Sequence, residues 1–246
     1  MKRVLIIGAT SAIAASCARL WAGEGSEFFL VARNAEKLEQ TAADLRGRGA
    51  KAVHLHVMDA LDYPAHPGML DNCLGALKQI DIALIAHGTL PDQQACERDV
   101  SIALREFNNN ATSVIALLTL LAQQFEQQRC GTLAVISSVA GDRGRPSNYL
   151  YGTAKAAVST FCEGLRARMF KVGVNVVTIK PGFVDTPMTQ GLPLPGALVA
   201  KPAQVAKRIV EGITAKTATL YTPGFWGLIM WIIRAIPQPV FKRLKL

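Results

Sequence analysis

The chain has 246 residues, half of them hydrophobic, with 27 basic and 18 acidic side chains and a formal net charge of +9. That is ample for one large core, and ordinary glycine and proline usage excludes a collagenous or disordered chain. Five scattered cysteines (Cys17, Cys73, Cys96, Cys130 and Cys162) form no CxxC pair, which argues against a disulfide framework or zinc site and suits reduced thiols in a cytoplasmic setting.

Residues 4–7 form a continuous apolar run, as a strand buried on both faces requires. The run leads straight into a glycine turn, so the basic start does not read as a signal peptide. A helix is expected over 12–22 and a second buried strand over 28–32. Asn34 is a candidate N-cap for a helix through Leu45, which Gly47 and Gly49 end. The alternation continues with a strand at 52–57, a helix at 68–78, a strand at 82–86 and helical segments over 94–125. A strand at 132–137, a long helix at 149–171, a strand at 174–179, a helix at 203–213 and a short strand at 219–221 complete it. This pattern predicts an α/β fold: a single Rossmann-type, doubly wound, seven-stranded parallel sheet with helices on both faces. Residues 1–223 form one domain in this reading, and 224–246 an apolar and basic C-terminal helical extension.

The first turn reads Gly8-Ala9-Thr10-Ser11-Ala12-Ile13-Ala14. It would aim the N–H groups of a helix N-terminus at a pyrophosphate, so Gly8, Thr10, Ser11 and Ile13 are candidate cofactor contacts. Ala12 and Ala14 stand where further glycines are usual, and each adds one methyl. After the second strand, where NAD-binding proteins carry a ribose-binding acid, the chain has Ala32-Arg33-Asn34. Arg33 offers a planar cation suited to the 2′-phosphate of NADP(H). Asp59, after the third strand, could accept from an adenine amino group or cap the next turn.

Ser138 ends the fifth strand, and thirteen residues later comes Tyr151-Gly-Thr-Ala-Lys155. Tyrosine and lysine at i and i+4 share a helix face. A free phenol titrates near ~10, and a neighbouring ammonium favours the phenolate and brings that value down. The tyrosine can then exchange a proton with a substrate oxygen that a serine hydroxyl also holds, while a nicotinamide supplies hydride.

With Pro181-Gly182-Phe183-Val184-Asp185-Thr186, the Gly8 turn and the Ser138, Tyr151 and Lys155 spacing, the chain resembles the short-chain dehydrogenase/reductase family over about residues 1–222. The resemblance implies that Tyr151 is the catalytic acid/base, that Lys155 lowers its pKa and holds the nicotinamide ribose, and that Ser138 orients the substrate oxygen. It implies that Asn110 holds a water in the proton relay, with Asn108 and Asn109 as neighbouring alternatives. Pro181 and Gly182 form the corner after the sixth strand, and Thr186 and the backbone of Val184 clasp the carboxamide of the nicotinamide. Arg33 matches the NADP-preferring branch. The family's Asn-Asn-Ala-Gly reads Ile85-Ala86-His87-Gly88 here: Gly88 remains as a cofactor contact, and His87 is read as a loop residue near the cofactor. His54 and His56 share a strand face without further ligands, so no metal site is assigned.

Residues 187–200 are mostly apolar and uncharged, which favours a hydrophobic substrate. From Lys201 onward there are eight basic residues and one acid, Glu211. The uninterrupted apolar run from Gly224 ends at Ile233 and is too short to span a bilayer, which needs about 20 residues. Trp226 and Trp231 suit an interface, and Arg234, Lys242, Arg243 and Lys245 suit anionic headgroups, so the expected partner of the tail is a membrane surface or a second subunit in a homodimer or homotetramer. Turn and tail are similar to the branch of the family that includes reductases of polyprenyl-phosphate-linked 2-keto-pentoses. The expected function is NADP(H)-dependent reduction of a carbonyl to an alcohol, or the reverse, on a hydrophobic or lipid-linked substrate, in the cytoplasm or peripheral on a membrane. The alternative is a catalytically weak or inactive nucleotide-binding scaffold or sensor on the same fold. No recognition motif supports a nucleic-acid partner.

Overall fold

The structure is a computed structural model that describes residues 1–244. Its strands are β1 (Arg3–Ile7), β2 (Glu27–Ala32), β3 (Ala52–Val57), β4 (Ile82–Ile85), β5 (Thr132–Ile136), β6 (Asn175–Pro181) and β7 (Thr219–Thr222). They form one sheet in the order β3-β2-β1-β4-β5-β6-β7, and every neighbouring pair is parallel. The helices are α1 (Ala12–Ala22), α2 (Ala35–Gly47), α3 (His66–Leu77), α4 (Gln93–Arg98), α5 (Val100–Phe107), α6 (Ser113–Gln128), α7 (Tyr149–Phe170), α8 (Pro202–Thr214), α9 (Phe225–Ala235) and α10 (Gln238–Phe241).

Strand side chains alternate between two faces, so each apolar run feeds two cores. Leu5, Ile7 and Phe29 pack with Met69, Leu121, Phe125 and Val158 of α3, α6 and α7. Val4, Ile6 and Phe28 pack on the other face with Trp21, Leu38 and Ile209 of α1, α2 and α8. Strand order reverses between β1 and β4, and the crevice outside the carboxyl ends of the strands at such a point is where open α/β sheets bind ligands.

The helical segments expected over 94–125 divide at two places. Asp99 adopts an extended backbone and its carboxylate accepts from Ser101 N and Ile102 N, which starts α5 afresh. Residues 108–112 then form a π-helical turn, with Ser113 N donating to Asn108 O. Asn34 caps α2 as expected, accepting from Lys37 N at 2.8 Å.

Candidate active site

The site begins with two adjacent serines at the end of β5, which play different parts. Ser137 is buried: its Oγ donates to Lys155 O at 3.0 Å and lies 2.8 Å from Ser159 Oγ, fastening β5 to α7. Ser138 carries only a light structural duty, accepting from Ala140 N at 3.1 Å at the start of the 3-10 turn Val139–Asp142. Its hydroxyl also lies near enough to the Tyr151 phenol to favour the phenolate.

Two glycines set how close that turn can come to α7. A Cβ on Gly141 would lie 2.7 Å from Ala156 N, and one on Gly152 2.7 Å from Ala140 O. Behind the turn is a buried ionic network. Lys180 Nζ donates to Asp142 Oδ1 at 2.6 Å, and Tyr221 OH donates to Asp142 Oδ2 at 2.7 Å. It ties the turn after Ser138 to β6 and β7.

Lys155 is 3 % exposed, and its Nζ donates to Ile136 O at 3.1 Å and lies 5.6 Å from the centroid of the Tyr151 ring. Asn110 is buried within the π turn, where such distortions often mark functional sites. Its Oδ1 accepts from Thr89 N at 3.0 Å, and its Nδ2 donates to Glu106 O and Thr89 Oγ1. Gly88, at φ +151°, runs between these two groups: a Cβ there would lie 2.8 Å from Asn110 Oδ1 and 3.5 Å from Lys155 Nζ. Asn110, Lys155, Ser138 and Tyr151 are thus gathered at the carboxyl ends of β4 and β5. Asn108 is engaged elsewhere, accepting from Thr112, and Asn109 donates to the same Thr89 hydroxyl as Asn110.

One electrostatic expectation is corrected. Burial pushes the Tyr151 phenol up to about 12, with the nearby Ser138 hydroxyl opposing it, and burial pushes the Lys155 ammonium down to about 8. Desolvation disfavours both charged forms and outweighs the attraction expected from the lysine. In the free protein the phenol is therefore a proton donor at neutral pH.

A family model for short chain dehydrogenases matches residues 2–194. The chain belongs to the short-chain dehydrogenase family. An uncharacterized oxidoreductase of Mycobacterium tuberculosis is 35% identical over 243 residues, covering 98% of this chain and 96% of that protein. One of Streptomyces coelicolor is 34% identical over 245 residues, covering 99% and 96%. An actinorhodin polyketide ketoreductase variant solved with NADPH superposes with a TM-score of 0.82 at 22% identity, covering 92% of this chain and 97% of that one, a likeness of fold.

This short-chain dehydrogenase keeps a geometry at the nucleotide end that a dinucleotide fits. Gly8 sits at φ +83°, and a Cβ there would lie 2.5 Å from His87 N, so only glycine lets the β1 and β4 loops cross. Ser11 is the N-cap of α1 with no side-chain cap bond, and the first turn of α1 carries no acid. Thr10 is exposed, Ser11 and Ile13 are half-buried, and the helix end is open to phosphate oxygens. Arg33 and Asp59 are both exposed and loosely paired at 3.8 Å, while Asp59 also accepts from Leu61 N. The turn role of Asp59 is thus realised, and the Arg33 guanidinium stays free to turn. His87 Nε2 bonds Ser113 Oγ at 2.9 Å, and burial pushes its imidazole down to about 3, so it stays neutral.

At the other end, Pro181 closes β6 and Gly182 lies under the indole of Trp226: a Cβ on Gly182 would sit 1.9 Å from Trp226 Nε1. Val184 pairs with Ala200, and Thr189 Oγ1, which the sequence reading missed, donates to Val184 O at 2.6 Å and accepts from Thr186 N at 3.2 Å. Trp226 also meets Phe183 edge-on and packs on Val139. The expectation that Trp226 faces an interface is therefore corrected: it is 3 % exposed and walls the site, whereas Trp231 is 70 % exposed. Arg143 Nη1 donates to the carbonyls of Ile233, Arg234 and Ile236, and its guanidinium lies 3.7 Å from the Phe241 ring centroid, which clamps α9 and α10 onto the Ser138 turn. No helix among the described residues is long and apolar enough to cross a membrane. Lys245 lies outside the described residues.

Proposed function

We propose that this chain is an NADP(H)-dependent oxidoreductase that reduces a carbonyl to an alcohol, or runs the reverse reaction, on a hydrophobic or lipid-linked substrate. The convergence of the Tyr151 phenol, the Lys155 ammonium, the Ser138 hydroxyl and Asn110 at one end of the sheet carries this reading. The nicotinamide supplies hydride when bound. Ser138 holds the substrate oxygen, and Tyr151, kept protonated by burial, gives it a proton as negative charge develops there. Lys155 holds the nicotinamide ribose and stabilises the phenolate left behind. Asn110 anchors the Gly88–Thr89 loop and holds a relay water. Gly8, Thr10, Ser11 and Ile13 would hold the pyrophosphate, Asp59 the adenine side, and Pro181, Gly182, Val184 and Thr186 the carboxamide.

Arg33 would bind the 2′-phosphate. Replacing it with alanine should shrink the preference for NADPH over NADH at least tenfold, chiefly by raising the KM for NADPH. An unchanged ratio would move the 2′-phosphate to Thr10 or Ser11.

The outer face of α9 presents Phe225, Leu228, Trp231 and Ile232 to solvent, with Arg234, Lys242 and Arg243 nearby in the chain. This combination supports a peripheral membrane contact, because apolar groups enter the headgroup boundary while cations meet anionic lipid. Exposed Val100 and Leu104 on α5 and Phe170 on α7 support a homo-oligomeric contact.

A further inference from the structure

The segment joining the Ser138 turn to α7 carries two arginines with opposite fates. Arg143 is consumed by the carbonyls at the end of α9, by Gln238 and by the Phe241 ring. The part-buried Arg166, on α7, is likewise satisfied, by Val176 O, Thr178 Oγ1 and Ala218 O. Arg145 is different. Its Nε is fully buried with no hydrogen-bond partner, and no ion pair or hydrogen bond reaches its side chain among the described residues. The acid nearest in sequence, Asp142, has both oxygens occupied, by Lys180 and Tyr221. Burial disfavours the charge on Arg145, and a guanidinium cannot escape by losing its proton near neutral pH. Three residues on, Asn148 Oδ1 is also buried without a partner, and Asn148 N donates to Arg145 O at 3.1 Å.

Unsatisfied buried polar groups are rare because each has lost its hydration without replacement. Here the inner nitrogen of a guanidinium without a protein partner and an amide oxygen, both buried and unsatisfied, stand in one turn of the loop between Ser138 and Tyr151. We propose that Arg145, with Asn148 beside it, forms a subsite for an anionic oxygen group of the substrate, a phosphate or phosphate ester, with a neighbouring hydroxyl donating to Asn148. A guanidinium fork matches phosphate oxygens in geometry and charge. The proposal rests on the carbonyl-reductase reading for the word substrate, and it narrows that reading to an amphiphile: apolar where it meets the 187–200 loop and Trp226, and anionic at one group. The phosphate could belong to a lipid or to a free small molecule.

The test is binding, so that it stands apart from turnover. Dodecyl phosphate, dodecanol and inorganic phosphate are titrated calorimetrically into the wild-type chain, Arg145→Gln and Arg145→Lys, all with saturating NADP⁺. Dodecyl phosphate should bind wild type at least tenfold more tightly than Arg145→Gln, with Arg145→Lys between them, while dodecanol is indifferent to the substitution. Inorganic phosphate binding as tightly as dodecyl phosphate would assign the site to a free phosphate compound; much weaker binding would assign it to a lipid phosphate. Equal affinity of dodecyl phosphate for wild type and Arg145→Gln overturns the subsite. Equal loss of dodecyl phosphate and dodecanol binding overturns it too, since Arg145 would then only support the loop. Absence of ketone reduction alongside Arg145-dependent phosphate binding would count against the reductase reading and leave the subsite standing.

Discussion

Tyr151→Phe should lower kcat by about 10³-fold or more and leave NADPH affinity within about twofold of wild type. The substitution removes one hydroxyl from a ring that is held in place by its surroundings. Burial keeps that phenol protonated, with the Ser138 hydroxyl as its polar neighbour. Without it, charge developing on the substrate oxygen meets Ser138 but no proton donor. The proposed cofactor contacts of Gly8, Arg33 and Lys155 are untouched, so binding and chemistry should separate. Steady-state kinetics with a fluorescence titration of NADPH read both quantities. Full activity in the variant would remove Tyr151 from the mechanism.

Lys180→Met should destabilise the protein by about 3–5 kcal/mol, the usual cost of leaving one member of a buried ion pair alone. Asp142 would keep Tyr221 as a donor but lose the charge that balances it in a site where the two side chains are 9 % and 3 % exposed. For a chain of this size, Tm falls about 2–4 °C for each kcal/mol lost. The same network holds the turn that follows Ser138, so kcat should fall together with stability. Combining the substitution with Asp142→Asn should recover part of the loss, because the orphaned charge is then gone. Urea denaturation of the three proteins measures this; a loss below about 1 kcal/mol in Lys180→Met would mean that Asp142 is not dependent on its partner.

The sheet was legible because residues 4–7, 28–32 and 133–136 are apolar on both strand faces and alternate with helical segments, as a doubly covered parallel sheet requires. Ser138, Tyr151 and Lys155 were legible because their chemistry depends on local spacing along one strand end and one helix. What supports them was not. Asp142, Lys180 and Tyr221 lie on three separate elements, and nothing in their local sequence marks them as a pair and a donor. Gly141 and Gly152 read as ordinary small residues until the close approach of turn and helix is seen. The helical segments expected over 94–125 could not be divided from sequence: they part at Asp99 and Asn110, where side chains compete with the helix for backbone groups. Trp226 was misread because an aromatic in an apolar, basic tail looks the same whether it faces lipid or folds back on Gly182. The phenol of Tyr151 went the other way from the sequence argument because burial, invisible in sequence, outweighed its lysine.

The most direct test of the central claim follows the hydride itself. The purified chain is incubated with NADPH deuterated at C4 of the nicotinamide and a long-chain ketone carrying a phosphate ester, and the products are examined by mass spectrometry and NMR. The account predicts NADP⁺ and an alcohol with deuterium on the carbinol carbon, with far less product from NADH. No alcohol, together with no stabilisation of the fold by NADPH, would contradict it and leave this chain a member of the family that does not perform the family's chemistry.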